Sequence, residues 1–417
     1  MSLPRGLRDY LPEEYELLEY IRDVFNKVAL LYGFKLMEPS TIEGMKTLEA
    51  KSGPAIKDEI YFFKDKGGRE VGLRFDLTVG LTRYACSRRD LPLPVKLASF
   101  ADVWRYDEPQ RARYRWFYQW DAEIYGPFGP TADAEVIMFT KDVFERIGLK
   151  RMVIKLGDRR MVQNLIKNST RLDEDKVIEL MRALDKLDKK GPDEIIDEYV
   201  EKGIEESHVK EALKLGEVEG RLDSVLSRFG STAVPEELIR LSEILETAGI
   251  EFLVSTKVVR GLDYYTSIVF EAFYEGDPTI GALAGGGRYD ILPKIFGRPE
   301  LGATGVAGGV ERIILALRGS GIGTKEIRPV YVGYLKELER EAFSILAELR
   351  RNDIPAIIDL YGRGLRRQLE EAARHSCKFS VLVLPKEIEE GFVVLKDMDR
   401  ETEEKVRIDE LIERLKD

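Results

Sequence analysis

The sequence predicts an α+β protein: an antiparallel sheet with flanking helices, a run of helices inserted into it, and a small α/β unit at the C-terminal end. Three observations carry this expectation. Over 34–126, short strand-like runs are divided by turn residues without alternating helices, the pattern of hairpins rather than strand–helix–strand units. Over 165–247 the chain is rich in Glu, Lys, Asp and Leu and reads as helix almost throughout. Beyond Arg328-Pro329, strand and helix signals alternate in short order.

At 417 residues the chain is too long for one ordinary core. The expected divisions are 1–165 and 249–322 for the sheet, 166–248 for the inserted helices, and 328–417 for the last unit. In chain order, Tyr15, Leu18, Ile21, Phe25, Val28 and Tyr32 recur at helical spacing, giving an amphipathic helix over 13–33 that ends at Gly33. The sheet follows, then a helix over 132–147. The helical run is broken at Gly191-Pro192, Gly203, Gly216 and Pro235. Strand signals return at 252–259 and 264–274, followed by glycine-rich sequence to about Gly309. After a glycine-bearing linker (317–325), strands are expected at 330–334, 356–360, 379–384 and 392–395, with helices at 338–350, 365–375 and 408–415.

Composition excludes several classes of function. No apolar run approaches the roughly 20 residues that span a bilayer, and the N-terminal residues include Pro4, Arg5, Asp9 and Pro12 rather than a signal-like apolar stretch. The expectation is a cytoplasmic protein with no membrane partner. Cys86 and Cys377 make neither a disulfide framework nor a zinc site, and no metal ligands are expected. With only His208 and His375 available, imidazole-dependent nucleophilic catalysis and two-histidine metal hydrolysis are excluded. Arginines, carboxylates and tyrosines must carry any chemistry. A net charge of −10 argues against non-specific coating of nucleic acid, but leaves room for a partner that meets a local basic patch.

All three tryptophans, Trp104, Trp116 and Trp120, lie beside Arg105, Arg111, Arg113 and Arg115. Alternation places Arg113, Arg115, Phe117, Gln119, Asp121 and Glu123 on one face and Tyr114, Trp116, Tyr118, Trp120 and Ala122 on the other. The aromatic face suits a core. The polar face is either a half-solvated surface with weak ion pairs or a site for a polar or phosphate ligand, since planar arginine forks match phosphate oxygens. Arg74, Asp76 and Thr78 alternate outward on a second expected strand, where an aspartate and a hydroxyl can receive an ammonium group. Arg260-Gly-Leu-Asp-Tyr-Tyr offers a bend and paired tyrosines, expected on opposite sides of a strand. Over 301–312 glycines recur without the dinucleotide fingerprint or the phosphate-loop lysine, and Arg312 opens an apolar helix.

In order as well as kind, these residues resemble the class II aminoacyl-tRNA synthetases, and the histidyl-tRNA synthetase family in particular. Pro4-Arg5-Gly6 and Met37-Glu38-Pro39-Ser40 resemble the N-terminal sequence and the first class motif, the latter implying a homodimer interface. Arg105-Tyr106-Asp107 through Glu123 resembles the second motif, and 302–312 the third. Arg260-Gly-Leu-Asp-Tyr-Tyr and Gly286-Gly-Arg-Tyr-Asp resemble the two histidine-specific signatures. Asp76 and Asp107 stand where many members carry glutamate, which resembles the archaeal and eukaryotic branch.

The resemblance implies histidyl-adenylate formation from L-histidine and ATP with Mg2+, and transfer to tRNA(His). It implies catalytic roles for Arg260 and Arg105, ATP binding by Arg105, Asp107, Arg113 and Arg312, and histidine binding by Asp76, Thr78, Gln119, Glu123, Arg260, Tyr264, Tyr265 and Tyr289. The C-terminal unit resembles an anticodon-binding domain, with Arg363, Arg366 and Arg367 as tRNA contacts, joined by Tyr361 and Lys378. The rival reading is a non-catalytic histidine-binding regulator of ATP phosphoribosyltransferase. That rival lacks the C-terminal domain and degrades the signatures, and both are kept here.

Overall fold

A computed structural model describes residues 2–106, 114–187, 190–259, 264–323 and 328–416. The chain divides into two compact units, Met1–Thr324 and Lys325–Asp417. The first unit contains strands β1 (Lys35–Leu36), β2 (Ile42–Gly44), β3 (Phe62–Lys64), β4 (Glu70–Leu73), β5 (Val95–Trp104) and β6 (Trp116–Gly126). They are followed by β7 (Met152–Asp158), β8 (Glu219–Gly220), β9 (Phe252–Ser255), β10 (Ile268–Tyr274), β11 (Ala282–Arg288) and β12 (Gly302–Gly309).

Nine of these strands form one sheet in the order β1-β5-β6-β12-β11-β10-β7-β9-β8. Its central pairs, from β5/β6 through β10/β7, are antiparallel. The outer pairs β1/β5 and β7/β9 are parallel. The hairpin register sets Trp104 opposite Trp116 and Phe100 opposite Trp120.

One face of the sheet is closed by helices Pro12–Leu31 and Pro130–Ile147. The first helix buries Leu18, Ile21, Phe25 and Val28, the spacing read from the sequence, and Gly33 follows it at φ +73°. Trp120 lies between both helices, with ring centroids 5.4 Å from Phe25 and 6.1 Å from Phe139. Among the described residues, six helices, from Arg159–Thr170 to Glu236–Thr247, lie between β7 and β9 in sequence. Their buried Val177, Leu180, Tyr199, Leu213 and Leu241 belong to the same hydrophobic cluster as Phe25 and Trp120, so this helical stretch shares the core of the sheet.

The segment after β4 departs from the expected alternation. The strand ends at Leu73 and a helix begins at Thr78 (Thr78–Ser87). Arg74 therefore turns inward, with only 1% of its surface exposed. It donates to the carbonyl of Asp102 at 2.7 Å, the carbonyl of Pro39 at 2.5 Å, and the carboxylates of Glu38 and Asp102 at 2.8 and 2.7 Å. Asp76 Oδ1 accepts the backbone N–H of Val79 in the first turn of that helix.

The second unit has strands β13 (Val330–Tyr334), β14 (Ala356–Ile358), β15 (Phe379–Val383), β16 (Phe392–Asp397) and β17 (Thr402–Arg407), in the order β14-β13-β15-β16-β17. Helix Glu339–Arg351 covers its own core of Val332, Leu346, Val381, Val383 and Val393.

Candidate active site

A cleft of about 440 Å³ opens on the polar face of β6, β11 and β12. The same alternation that sends Trp120 and Ala122 into the core sends Gln119, Asp121 and Glu123 toward this side. The facing strand carries a glycine opposite Glu123 for a steric reason. A Cβ on Gly305, which pairs with Glu123, would lie 1.5 Å from Glu123 Oε2. Only a bare backbone lets that carboxylate lie across β12.

The polar groups converge in this cleft. Glu123 is 1% exposed, Asp121 is fully buried and Asp76 is 5% exposed. The Tyr289 hydroxyl donates a short hydrogen bond to Glu123 Oε2. Asp121 accepts from Thr78 Oγ1 at 3.1 Å and from Gln119 Nε2 at 2.9 Å. Arg105 donates to the carbonyl of Phe75 at 3.0 Å and to Gln119 Oε1 at 3.4 Å, with its guanidinium over the Phe117 ring.

Burial pushes Asp121 up to about 7, and the neighbouring Asp76 charge adds to the shift against Lys51, Thr78 and Gln119. Burial followed by the Asp121 charge also raises Glu123, against the Tyr289 hydrogen bond. Tyr265 and Tyr289 are raised by burial, so both remain hydroxyl donors at neutral pH. The pocket thus combines carboxylates and hydroxyls with aromatic walls, which suits a small ligand rich in N–H groups.

Of the residues singled out in the sequence, Asp76, Thr78, Arg105, Gln119, Glu123, Tyr264, Tyr265, Tyr289 and Arg312 all line this cleft. Asp107, Arg113 and Arg260 lie outside the described residues. The tyrosine pair is placed differently from its expected alternation. Tyr264 and Tyr265 precede β10, and their rings lie 4.1 Å apart between centroids on the same cleft. Pleating cannot separate them because β10 begins only at Ile268.

Arg312, in the first turn of helix Val310–Gly319, donates to the carbonyl of Ala282 at 2.9 Å. Its neighbour Glu311 accepts from the backbone of Tyr118 at 2.9 Å and from the Tyr10 hydroxyl, joining the N-terminal segment to the hairpin and this helix.

Two buried groups received no role from the sequence. Asp121 was on the correct face by alternation, and its position behind Thr78 and Gln119 makes it the anchor of both. Lys51, from helix Met45–Ser52, donates to Asp76 Oδ2 at 2.7 Å with its side chain 10% exposed. No local pattern marks it, since neighbouring Lys46 and Lys57 are ordinary charged residues of the same segment.

In the second unit a smaller cleft of about 150 Å³ is lined by Tyr334, Lys336, Asp359, Leu360, Arg363 and Gln368, among others. Asp359 accepts from the Arg363 guanidinium at 2.5 Å, and Glu371 accepts from it at 3.0 Å. Arg366, paired with Glu370 at 3.2 Å, and Arg367 are exposed, as are Tyr361 and Lys378. Among the described residues no helix is long and apolar enough to cross a membrane.

A largely antiparallel sheet bearing an arginine–carboxylate hairpin, a glycine-backed ligand face and an arginine at the start of the following helix is the architecture of the class II aminoacyl-tRNA synthetases. Comparison with known proteins narrows this. The family model described as histidyl-tRNA synthetase matches residues 6–313, and the anticodon binding domain model matches 327–417. The chain belongs to the histidyl-tRNA synthetase family.

Among its relatives is the histidine–tRNA ligase of Pyrococcus horikoshii, 36% identical over 99% of this chain and 98% of the relative. That of Pyrobaculum calidifontis is 35% identical over 98% and 96%. In fold, the chain resembles the crystal structure of histidyl-tRNA synthetase from Nostoc sp. PCC 7120, with a TM-score of 0.84, 24% identity, and coverage of 100% of this chain and 98% of that one. It also resembles an ATP phosphoribosyltransferase regulatory subunit/histidyl-tRNA synthetase from Bacillus halodurans, with a TM-score of 0.73, 24% identity, and coverage of 89% and 96%.

Proposed function

We propose that the chain is a histidine–tRNA ligase, which joins L-histidine to ATP as histidyl-adenylate and then passes the histidyl group to the 3′-terminal ribose of tRNA(His). The observation that carries this reading is the buried Gln119–Asp121–Glu123 face with Tyr289, backed by Gly305. Glu123 and Tyr265 read the imidazole nitrogens, with Tyr264 and Tyr289 closing the pocket. Asp76, Thr78 and Gln119 hold the α-amino group. A ligand without the imidazole N–H groups leaves buried partners unpaired, which is a strong basis for selection.

The nucleophile is the substrate's own carboxylate, so the first step requires no enzymic base. A carboxylate oxygen attacks the α-phosphorus, the bond to the bridging oxygen breaks, and pyrophosphate leaves. Charge accumulates on phosphate oxygens, where fixed cations stabilise it. Arg105 serves the α-phosphate and Arg312 the γ-phosphate. Family resemblance adds Arg113 near the phosphates, Asp107 at the nucleotide, and Arg260 between the α-phosphate and the histidine carboxylate.

Among the described residues no three His, Cys, Asp or Glu side chains group as a metal cage, and Glu311 at the cleft is already engaged by Tyr10 and Tyr118. Mg2+ would enter with the phosphates of ATP, which it ordinarily accompanies. The C-terminal unit binds the anticodon stem through Arg363, Arg366 and Arg367, and the protein acts as a cytoplasmic homodimer. The test is charging of tRNA(His) transcript with labelled histidine by the full chain. Acid-precipitable, ATP-dependent label is expected, and its absence with folded protein would overturn the reading.

A further inference from the structure

Helix Met45–Ser52 brings into the cleft a cation that the proposed chemistry does not use. Lys51 Nζ lies 2.7 Å from Asp76 Oδ2 and 4.2 Å from the centroid of the Tyr264 ring. The other oxygen of Asp76 is taken by the backbone N–H of Val79. Burial alone lowers the pKa of Lys51, but the Asp76 charge and the Asp76 hydrogen bond reverse that, so the ammonium stays charged.

An empty pocket holding the Asp76 carboxylate without a cation would be costly, because an unpaired buried carboxylate is strongly destabilising. Lys51 answers that need, and it does so at the very carboxylate to which the substrate ammonium is assigned. Two ammonium groups cannot share one buried carboxylate without strong repulsion in this weakly screened site. Lysine is also the cation suited to leaving: its ammonium is a point charge on a flexible four-carbon stem, not a fork fixed by several bonds.

We propose that Lys51 is a built-in occupant of the α-ammonium subsite, holding Asp76 in the empty enzyme and displaced from it when the amino acid binds. This rests on the reading of Asp76 as the receiver of the α-amino group. Lys51 then acts as a positioning and specificity residue: a ligand that lacks an ammonium cannot take its place. Affinity for histidine is set below what the pocket alone would give, because each binding event first breaks an internal ion pair.

The test is calorimetric titration of the full chain, without ATP, with L-histidine and with 3-(imidazol-4-yl)propionate, which lacks only the amino group. Wild type is compared with Lys51→Met and Lys51→Gln, each checked for an unchanged circular dichroism spectrum. Removing the internal competitor leaves Asp76 waiting for a cation, so L-histidine should bind about tenfold more tightly to either variant. The propionate, which cannot replace the lost charge, should bind no better than to wild type.

An unchanged or weaker histidine affinity in a folded variant overturns the proposal, as does an equal gain for both ligands. If wild type shows no preference for histidine over the propionate, the assignment of Asp76 itself fails, and the proposal with it. A preference that is present but insensitive to Lys51 defeats the proposal alone.

Discussion

Gly305→Ala is the sharpest perturbation of the imidazole site, because its effect passes through one contact. The added Cβ would lie 1.5 Å from Glu123 Oε2, 2.4 Å from its Cδ and 2.8 Å from the carbonyl oxygen of Ala122. Gly305 has an ordinary backbone conformation, so the substitution introduces no dihedral strain of its own. Relief requires the carboxylate to move by about 1.5–2 Å, and Glu123 is 1% exposed with no solvent to move into. Its hydrogen bond from Tyr289 is lost, costing about 1–3 kcal/mol, and overpacking costs a similar amount. A catalytic or binding group misplaced by about 1 Å already costs roughly a hundredfold in rate. Histidine-dependent ATP–pyrophosphate exchange should therefore fall by about 10²-fold or more, with a melting temperature lower by several degrees. Gly319→Ala, where an added Cβ meets nothing within 4 Å, is the matched control and should be neutral. Exchange by Gly305→Ala within about threefold of wild type would refute the account of how Glu123 is held.

Asp121 has a folded pKa of about 7, above its unfolded value, so the folded state holds more protons between those values and stability falls as pH rises through that window. Asp121→Asn should flatten this dependence: urea melts at pH 5 and pH 8 should differ less for the variant than for wild type. Arg74→Met removes a cation that holds Glu38, Pro39 and Asp102 together and leaves the carbonyls of Pro39 and Asp102 unpaired, with an expected loss of about 2–4 kcal/mol in the same melts. A loss below about 1 kcal/mol would deny Arg74 its role as a pin. Arg366→Ala with Arg367→Ala should raise the KM for tRNA several-fold while leaving pyrophosphate exchange unchanged; reduced exchange would contradict the division of labour between the two units.

The hairpin was the most legible part of the chain, because period-two alternation in 114–123 fixes at once which side chains are core and which meet a ligand. The long helix of 12–31 was legible for the corresponding reason at period 3.6. Alternation misled where the strand stopped. Alternation points Arg74 outward, but β4 ends at Leu73 and the inward turn buries it among acceptors. The Tyr264–Tyr265 pair failed in the same way, since both precede β10. Strand β17 was not anticipated because its sequence, Thr-Glu-Glu-Lys-Val-Arg, carries one buried residue on an otherwise exposed edge. The glycines of 302–309 were visible as a pattern, but their purpose was not: Gly305 is explained only by Glu123 on the neighbouring strand, some 180 positions earlier in the chain. Lys51 was invisible because its meaning lies wholly in a tertiary contact with Asp76.

The proposed function requires that this pocket select histidine for activation. Its most direct measurement is ATP–pyrophosphate exchange by the full chain with each standard amino acid supplied separately. Exchange with histidine alone is the expected result. Exchange with a different amino acid, or none with histidine from folded protein, would contradict the assignment of Glu123, Tyr265 and Tyr289 to the imidazole.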